Sequence, residues 1–296
     1  MRARGDIMAK TKLPSYLALT PALKVFVTNL AWQSQGHIKP LHQHFALRLV
    51  LEGGFMPDEV TPHPPLRVDT VKGKDVLLFD PSAENETEQI ILGGLKTKNV
   101  DVVVNKPNVG PVIGISVKGT LNAFRNLTNR MEEAAGEATN LHLMYPGLVY
   151  GFFHVLKANR AGTLGLGLND VAIAAEGSVV SSIARYHDVL LGLTGRLFVR
   201  NELSKYEAVS LAMIDPTAGP QGHLSQSFPS MGSKLRAEPF FPSLLERYDL
   251  RFPFVAPAMR NLLRRSWSSK SPAITAIGTA DKWISTVGYA PRMAES

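Results

Sequence analysis

Residues 99–118 carry the clearest structural signal in the chain, reading NVDVVVN (99–105), KPNVGP (106–111) and VIGISVK (112–118). The first and third segments are rich in valine and isoleucine, which favour strands, while the middle segment has the proline, asparagine and glycine of a turn. Together they predict a β-hairpin. Asp101 then lies on its first strand and Lys118 at the end of its second.

A helix is predicted directly after the hairpin, over residues 120–138. Its apolar residues recur on one face at helical spacing: Phe124, Leu127, Met131, Ala135 and Ala138. Further along, residues 148–156 and 208–214 are predicted to be strands and residues 177–193 an amphipathic helix. The order β-β-α-β-α-β predicts an α/β fold, in which helices flank a mixed β-sheet.

Another helix is predicted before the hairpin, over residues 38–52, where an apolar-periodic run ends at two glycines. Its neighbourhood contains His37, His42 and His44. Spacings of five and two residues do not match the i, i+4 pair of a helical zinc site, so these histidines do not indicate zinc.

Composition excludes several classes of site. The 296 residues include no cysteine, which excludes disulfides, thiolate zinc sites, iron–sulfur clusters and cysteine nucleophiles. The net charge of +7 suits a polyanionic partner, which could be DNA, RNA or an anionic membrane surface. No stretch approaches the roughly 18 apolar residues of a membrane span, and residues 1–12 lack an apolar signal core. We therefore expect a cytoplasmic protein.

The hairpin and the following helix carry the residues expected for phosphodiester hydrolysis. That reaction uses a divalent metal held by carboxylates and a cation that orients the attacking water. Side chains alternate along a strand, so Ser116 and Lys118 point the same way. On the helix, Glu132 lies in a polar sector of about 80° together with Asn122, Arg125 and Asn129. Such a face is suited to contact DNA phosphates or base edges.

These motifs resemble those of the PD-(D/E)xK superfamily. The triplet SVK (116–118) lies where the superfamily usually has Glu-x-Lys or Asp-x-Lys. A subset of its type II restriction enzymes has Ser-x-Lys there and takes its glutamate from the following helix, within an Arg-x-Glu motif. In this chain RME (130–132) resembles that motif, and Glu132 follows Lys118 by fourteen residues. The resemblance is close over residues 100–132 and covers the elements to about residue 214 only in outline.

The resemblance implies a restriction-endonuclease-like fold and a Mg²⁺-dependent endonuclease that cleaves double-stranded DNA sequence-specifically, leaving 5′-phosphates. Asp101 and Glu132 would bind Mg²⁺, Lys118 would position and activate the water, and Ser116 would complete the catalytic set. A palindromic target implies a homodimer. Neither a nucleotide cofactor nor a membrane is expected. The predicted DNA-contacting residues are Asn122, Arg125, Asn126, Asn129 and Arg130.

Two assignments keep alternatives. Pro57-Asp58 is a literal Pro-Asp pair, but we prefer Asp101 as the metal ligand because it lies in a valine-rich strand next to the strand of Lys118. Glu86 or Glu88, upstream of the hairpin, could supply a second ligand, although a surface glutamate in a polar loop is the simpler interpretation.

The domain organisation is predicted as an N-terminal helical and irregular region (1–75), a PD-(D/E)xK-like catalytic core (76–257) and a basic C-terminal extension (258–296), with a single domain overall as the alternative. Two other functions also remain open. One is a repair or recombination nuclease of the same fold, and the other is a DNA-binding protein without catalysis.

Overall fold

The structure is a computed structural model that describes residues 13–28, 35–71, 73–216, 221–253 and 261–294. Its strands are β1 (Val60–Thr61), β2 (Leu66–Val71), β3 (Lys74–Phe79), β4 (Gln89–Ile91), β5 (Lys98–Val100), β6 (Val102–Lys106), β7 (Gly110–Thr120), β8 (Val149–Lys157) and β9 (Ala208–Ile214). Its helices are α1 (Leu19–Thr28), α2 (Lys39–Leu51), α3 (Leu127–Met144), α4 (Ser181–Leu193), α5 (Phe240–Arg251), α6 (Pro272–Thr275) and α7 (Ala280–Val287).

A five-stranded mixed sheet with the order β1-β6-β7-β8-β9 organises the protein. The pairs β1–β6 and β6–β7 are antiparallel, whereas β7–β8 and β8–β9 are parallel. Strands β6 and β7 are the predicted hairpin, closed by the pair Lys106 and Gly110. The predicted α/β fold with a helix-flanked mixed sheet is confirmed.

Both faces of the sheet are covered by helices, as the alternation of side chains requires. Ile113, Ile115 and Val117 of β7 belong to a hydrophobic cluster shared with α1, α2 and α5. On the other face, Tyr150 and Phe152 of β8 belong to a second cluster shared with α3 and α4. The polar residues Ser116 and Lys118 alternate with the first set, so they face the side of α3.

The helix after the hairpin begins and ends later than predicted. A short 3₁₀ helix spans Phe124–Asn126, and α3 follows it to Met144. Ala123 has a left-handed backbone (φ 57°), and its N–H donates to the Asp170 carboxylate at 2.6 Å. This turn separates β7 from the helix. At the other end the helix continues to within two residues of Pro146, because no earlier residue interrupts it.

The C-terminal segment packs into the core rather than extending from it. Trp267 is buried, and its indole N–H donates to the Val50 carbonyl of α2 at 2.7 Å. The Arg264 guanidinium donates to the Gly53 carbonyl at 2.8 Å. Leu47, Val104 and Trp283, one from each of the three predicted regions, belong to a single hydrophobic cluster. The described helices include none long and apolar enough to cross a membrane.

A buried charge cluster ties β8, β9 and α5 together. The Glu207 carboxylate accepts from Arg196 at 2.9 Å, from Arg251, and from the backbone N–H of Tyr150 at 2.7 Å. The side chains of Glu207 and Arg196 are fully buried and that of Arg251 is 9% exposed. Each charge depends on its partners, because burial without them costs several kcal/mol.

We therefore expect Glu207→Gln to lower the free energy of unfolding by about 3–5 kcal/mol, since it leaves two enclosed guanidinium groups without their counter-charge. Urea denaturation followed by circular dichroism measures the change. The control is Asp69→Asn, which removes an exposed partner of Arg67 and should cost less than about 1 kcal/mol. Equal effects of the two substitutions would contradict a stabilising role for the buried cluster.

Candidate active site

Asp101 and Lys118 meet at the point where β5 gives way to β6. Asp101 occupies a bend between these strands instead of continuing the predicted strand. Its Oδ2 accepts a hydrogen bond from the Val117 backbone N–H at 2.6 Å and lies 3.5 Å from the Lys118 ammonium. Asp101 and Lys118 are thus adjacent, and the hydrogen bond from the Val117 backbone N–H fixes the position of the Asp101 carboxylate.

Two further side chains approach the Asp101 carboxylate. His42, from α2, has its Nε2 at 4.0 Å from Asp101 Oδ1 and its Nδ1 at 3.8 Å from Glu88 Oε1. Glu88 comes from the segment before β4, and the Asn99 amide donates to its other carboxylate oxygen. One ligand atom from each of His42, Glu88 and Asp101 lies within 4.8 Å of the others. Within the described residues this is the group that could hold a metal ion.

The donor set fits a divalent cation. Two ligands bound at about 2.1 Å are separated by about 3 Å when cis and about 4.2 Å when trans, so small shifts would bring these atoms into one coordination sphere. His42 is 4% exposed, and its Nε2 has no hydrogen-bond partner. Burial lowers the pKa of His42, which keeps the imidazole neutral and able to donate a lone pair.

Lys118 is a cation surrounded by carboxylates. Burial lowers its pKa, but the charges of Asp101, Glu137 and Glu133 outweigh burial, and the pKa lies above its ordinary value. The side chain therefore stays an ammonium at neutral pH. It can donate hydrogen bonds and stabilise negative charge, but it cannot accept a proton there.

Glu137 contributes one of the negative charges that act on Lys118. It is buried on α3, its carboxylate lies 2.7 Å from the Lys98 ammonium, and it accepts a hydrogen bond from the Tyr150 hydroxyl. Burial raises the pKa of Glu137, but Lys118 and Lys98 outweigh it and hold the pKa below its usual value. Glu137 thus remains ionised and adds negative charge near Lys118.

Ser116 is fully buried, and its hydroxyl has no hydrogen-bond partner among the described residues. In the hairpin register Val102 faces Ile115, so Ser116 is the residue that would face Asp101 if the ladder continued by one pair. Ser116 therefore lies one residue beyond the last pair of the ladder, and it carries only a small hydroxyl.

Glu132 lies outside the cluster. It is exposed on α3, whereas Glu133 and Glu137, which are four residues apart and share a helix face, are the helix carboxylates that act on Lys118. A rotation of about 100° per residue turns Glu132 away from that face. Its assignment as a metal ligand has no geometric support here and stays a prediction.

The structure distinguishes the alternative ligands by their positions relative to Lys118. Asp58 is in a short 3₁₀ helix (Pro57–Glu59) with 92% of its side chain exposed, and it lies 3.1 Å from His63. Glu86 pairs with Lys39 at 2.8 Å. Asp101 is the aspartate that lies beside Lys118, and Glu88 is the upstream glutamate that joins it.

The predicted DNA-contacting residues lie beside the end of β7. Asn122, Asn126 and Arg130 line a cleft of about 190 Å³ together with Gly119 and Thr120 of that strand. The Asn122 side chain is held by the Asn159 amide at 3.0 Å.

One of the predicted contacts, Asn129, does not line this cleft. Asn129 is exposed on α3. The side chain of Arg125 lies outside the described part of the structure, and so does Arg260, one of the basic residues near the C-terminus.

His154 is part of the interior next to the site. It is paired with Lys118 in the β7–β8 register and is fully buried. Its Nδ1 lies 2.5 Å from the Tyr186 hydroxyl and its Nε2 2.9 Å from the Thr120 hydroxyl. Burial lowers its pKa to about 3, so it is neutral. With both nitrogens occupied, His154 positions the end of β7.

No protein-family model, curated protein or solved structure matches this chain. The class of the site therefore rests on its own geometry: two carboxylates, one neutral imidazole and one ammonium near the end of the central strand of a mixed sheet.

His42 is the site residue that sequence reasoning missed. A weak signal was available, because His42 lies between Leu41 and Phe45 in a helix that ends in an apolar run, and a buried polar side chain needs a partner. Spacing between histidines was the wrong criterion. The partners are carboxylates from distant parts of the chain.

The geometry makes a prediction about the charge of Glu88. Burial, followed by the negative charge of Asp101, raises the pKa of Glu88. Asp101→Asn removes that charge while keeping an oxygen for the Val117 N–H, so the pKa of Glu88 should fall. The measurement is a ¹³C NMR titration of glutamate carboxyl carbons in metal-free protein. Asp58→Asn is the control and should leave Glu88 unchanged, whereas an unmoved Glu88 in Asp101→Asn would show that the two groups are not neighbours.

Proposed function

We propose that the protein is a divalent-metal-dependent endonuclease that cleaves double-stranded DNA. One observation carries the proposal: the Asp101 carboxylate, fixed by the Val117 N–H, lies between the Lys118 ammonium on one side and His42 with Glu88 on the other. The PD-(D/E)xK resemblance also supports the proposal, because it implies a carboxylate pair next to a strand-borne lysine; it places the second carboxylate at Glu132, and we propose Glu88 in its stead.

In this proposal Asp101 and Glu88 are the carboxylates that would hold the metal, with Mg²⁺ as the ion that the resemblance implies. When bound, the metal would polarise the scissile phosphate and lower the pKa of a water molecule. Lys118, as an ammonium, would orient that water and offset the charge that develops on the phosphate. Beside Asp101 and the carboxylates of α3, Lys118 is suited to act as a charged hydrogen-bond donor.

The surroundings of the site support a nucleic acid as substrate. The chain has a net charge of +7, which favours binding to phosphates. The cleft with Asn122, Asn126 and Arg130 begins where β7 ends, two residues beyond Lys118, so bound DNA could contact these side chains while a phosphate reaches the lysine. Sequence-specific cutting of a palindrome by a homodimer in the cytoplasm, with 5′-phosphate products, belongs to the same proposal.

Removing the ammonium tests the proposal directly. Lys118→Met should reduce plasmid cleavage at least about 100-fold in the presence of Mg²⁺ or Mn²⁺, because orientation of the water is lost, while DNA binding persists in a gel-shift assay. Lys96→Met, at an exposed lysine, is the matched control and should cut normally. Cleavage by Lys118→Met within tenfold of the wild type would remove Lys118 from the mechanism.

A second comparison identifies the carboxylates. Asp101→Asn and Glu88→Gln should each lose cleavage to a similar extent, because either change removes a metal ligand, whereas Asp58→Asn and Glu132→Gln should retain it. The same plasmid assay reads all four variants. Loss of activity in Glu132→Gln with normal activity in Glu88→Gln would return the second carboxylate to α3.

The products of wild-type cleavage separate the proposed activity from its alternatives. Discrete bands are expected for a restriction enzyme. A smear or structure-specific nicking would favour a repair or recombination nuclease, and retention of DNA without cutting would favour a binding protein.

A further inference from the structure

The imidazole of His42 faces the two carboxylates of the proposed metal site from a fixed direction. His42 lies on α2, where ten other residues of the helix are also buried, among them its neighbours Leu41 and Gln43. The helix is anchored at its far end by the Trp267 indole on the Val50 carbonyl. The ring therefore cannot withdraw to solvent without moving the helix.

The His42 ring makes no hydrogen bond to either carboxylate, because its Nδ1 lies 3.8 Å from Glu88 Oε1. Its Nε2 is buried without a hydrogen-bond partner, 4.0 Å from Asp101 Oδ1, which is too far for a hydrogen bond. A buried nitrogen without a partner costs about 1–3 kcal/mol. A cation placed between this nitrogen and the carboxylates would satisfy it.

The donor set differs from the one that Mg²⁺ prefers. Mg²⁺ binds oxygen ligands almost exclusively and dehydrates reluctantly, so a neutral imidazole adds little to its affinity. First-row transition ions accept nitrogen and carboxylate oxygen together, and Mn²⁺ combines this with the octahedral geometry of Mg²⁺.

We propose that His42 is the third ligand of the metal site and makes the site select Mn²⁺ over Mg²⁺. Glu88 and Asp101 supply the oxygen ligands, and Asn99 orients Glu88 by its hydrogen bond to the second carboxylate oxygen. The selection depends on the same site as the proposed nuclease, but it concerns metal binding and can be measured without DNA.

Binding of the two ions to the full-length metal-free protein tests the assignment. Electron paramagnetic resonance measures free Mn²⁺ directly, and competition with Mg²⁺ gives the ratio of the two affinities. His42→Leu keeps an apolar side chain of similar size but removes the nitrogen. It should weaken Mn²⁺ binding about 10- to 100-fold and Mg²⁺ binding much less, so that the selectivity collapses. His44→Leu is the matched control on the same helix, because His44 is also buried but its Nδ1 bonds to the Tyr16 carbonyl and it is not part of the group of possible metal ligands, so this variant should keep the selectivity.

A spectroscopic signature distinguishes coordination from a structural role. Electron spin echo modulation of bound Mn²⁺ should show the ¹⁴N coupling of one imidazole in the wild type and in His44→Leu, and none in His42→Leu. In His42→Ala, added imidazole should restore both the coupling and part of the Mn²⁺ affinity. Thermal melting of each variant identifies any that fails to fold, and the wild-type ¹⁴N signal alone then decides.

Mn²⁺ bound without ¹⁴N coupling, or an unchanged Mn²⁺ to Mg²⁺ ratio in His42→Leu, would overturn the assignment of His42, as would a wild type that binds no Mn²⁺. DNA cleavage supported by Mg²⁺ with no nitrogen ligand would reject His42 while keeping the nuclease. Conversely, nitrogen-coordinated Mn²⁺ in a protein that does not cut DNA would keep the His42 assignment and reject the nuclease.

Discussion

The hydrogen bond from the Val117 N–H to the Asp101 carboxylate is the constraint on which the site depends. It holds the carboxylate beside residues 117 and 118, just beyond the last pair of the β6–β7 ladder, Val102 with Ile115. If the ladder continued by one pair, Asp101 would face Ser116 across the hairpin. The bend instead lets one carboxylate oxygen meet Lys118 while the other faces α2.

From that point the site is assembled by elements far apart in the sequence. The hairpin supplies Asp101 and Lys118, α2 supplies His42, and the segment before β4 supplies Glu88. On the face of the sheet opposite α2, Glu133 and Glu137 of α3 raise the pKa of Lys118 and so keep it charged. The proposed metal ligands and the ammonium thus share Asp101, so a change in the position of Asp101 alters both at once.

The sequence predicted what is encoded locally. The hairpin, the β-β-α-β-α-β order and the proximity of Asp101 to Lys118 all follow from periodicity and from the register of one tight turn. The sequence did not predict that His42 and Glu88 lie next to each other, because their proximity depends on how α2 packs against the sheet. The phase of α3 was equally hidden. A turn at Ala123 sets where the helix begins, and this directs Glu133 and Glu137, in place of Glu132, toward Lys118.

The contact of Trp267 with Val50 has a consequence for how fast the protein folds. The helix that carries His42 accepts a hydrogen bond from Trp267, 217 positions further along the chain, and the turn after the helix accepts one from Arg264, 211 positions further along. The chain loses the entropy of closing such long loops before the contacts between the loop ends stabilise the fold, and a high contact order therefore slows folding. We expect the sheet to form before α2 is locked, so that the chain passes through a state with the hairpin in place and the imidazole still free.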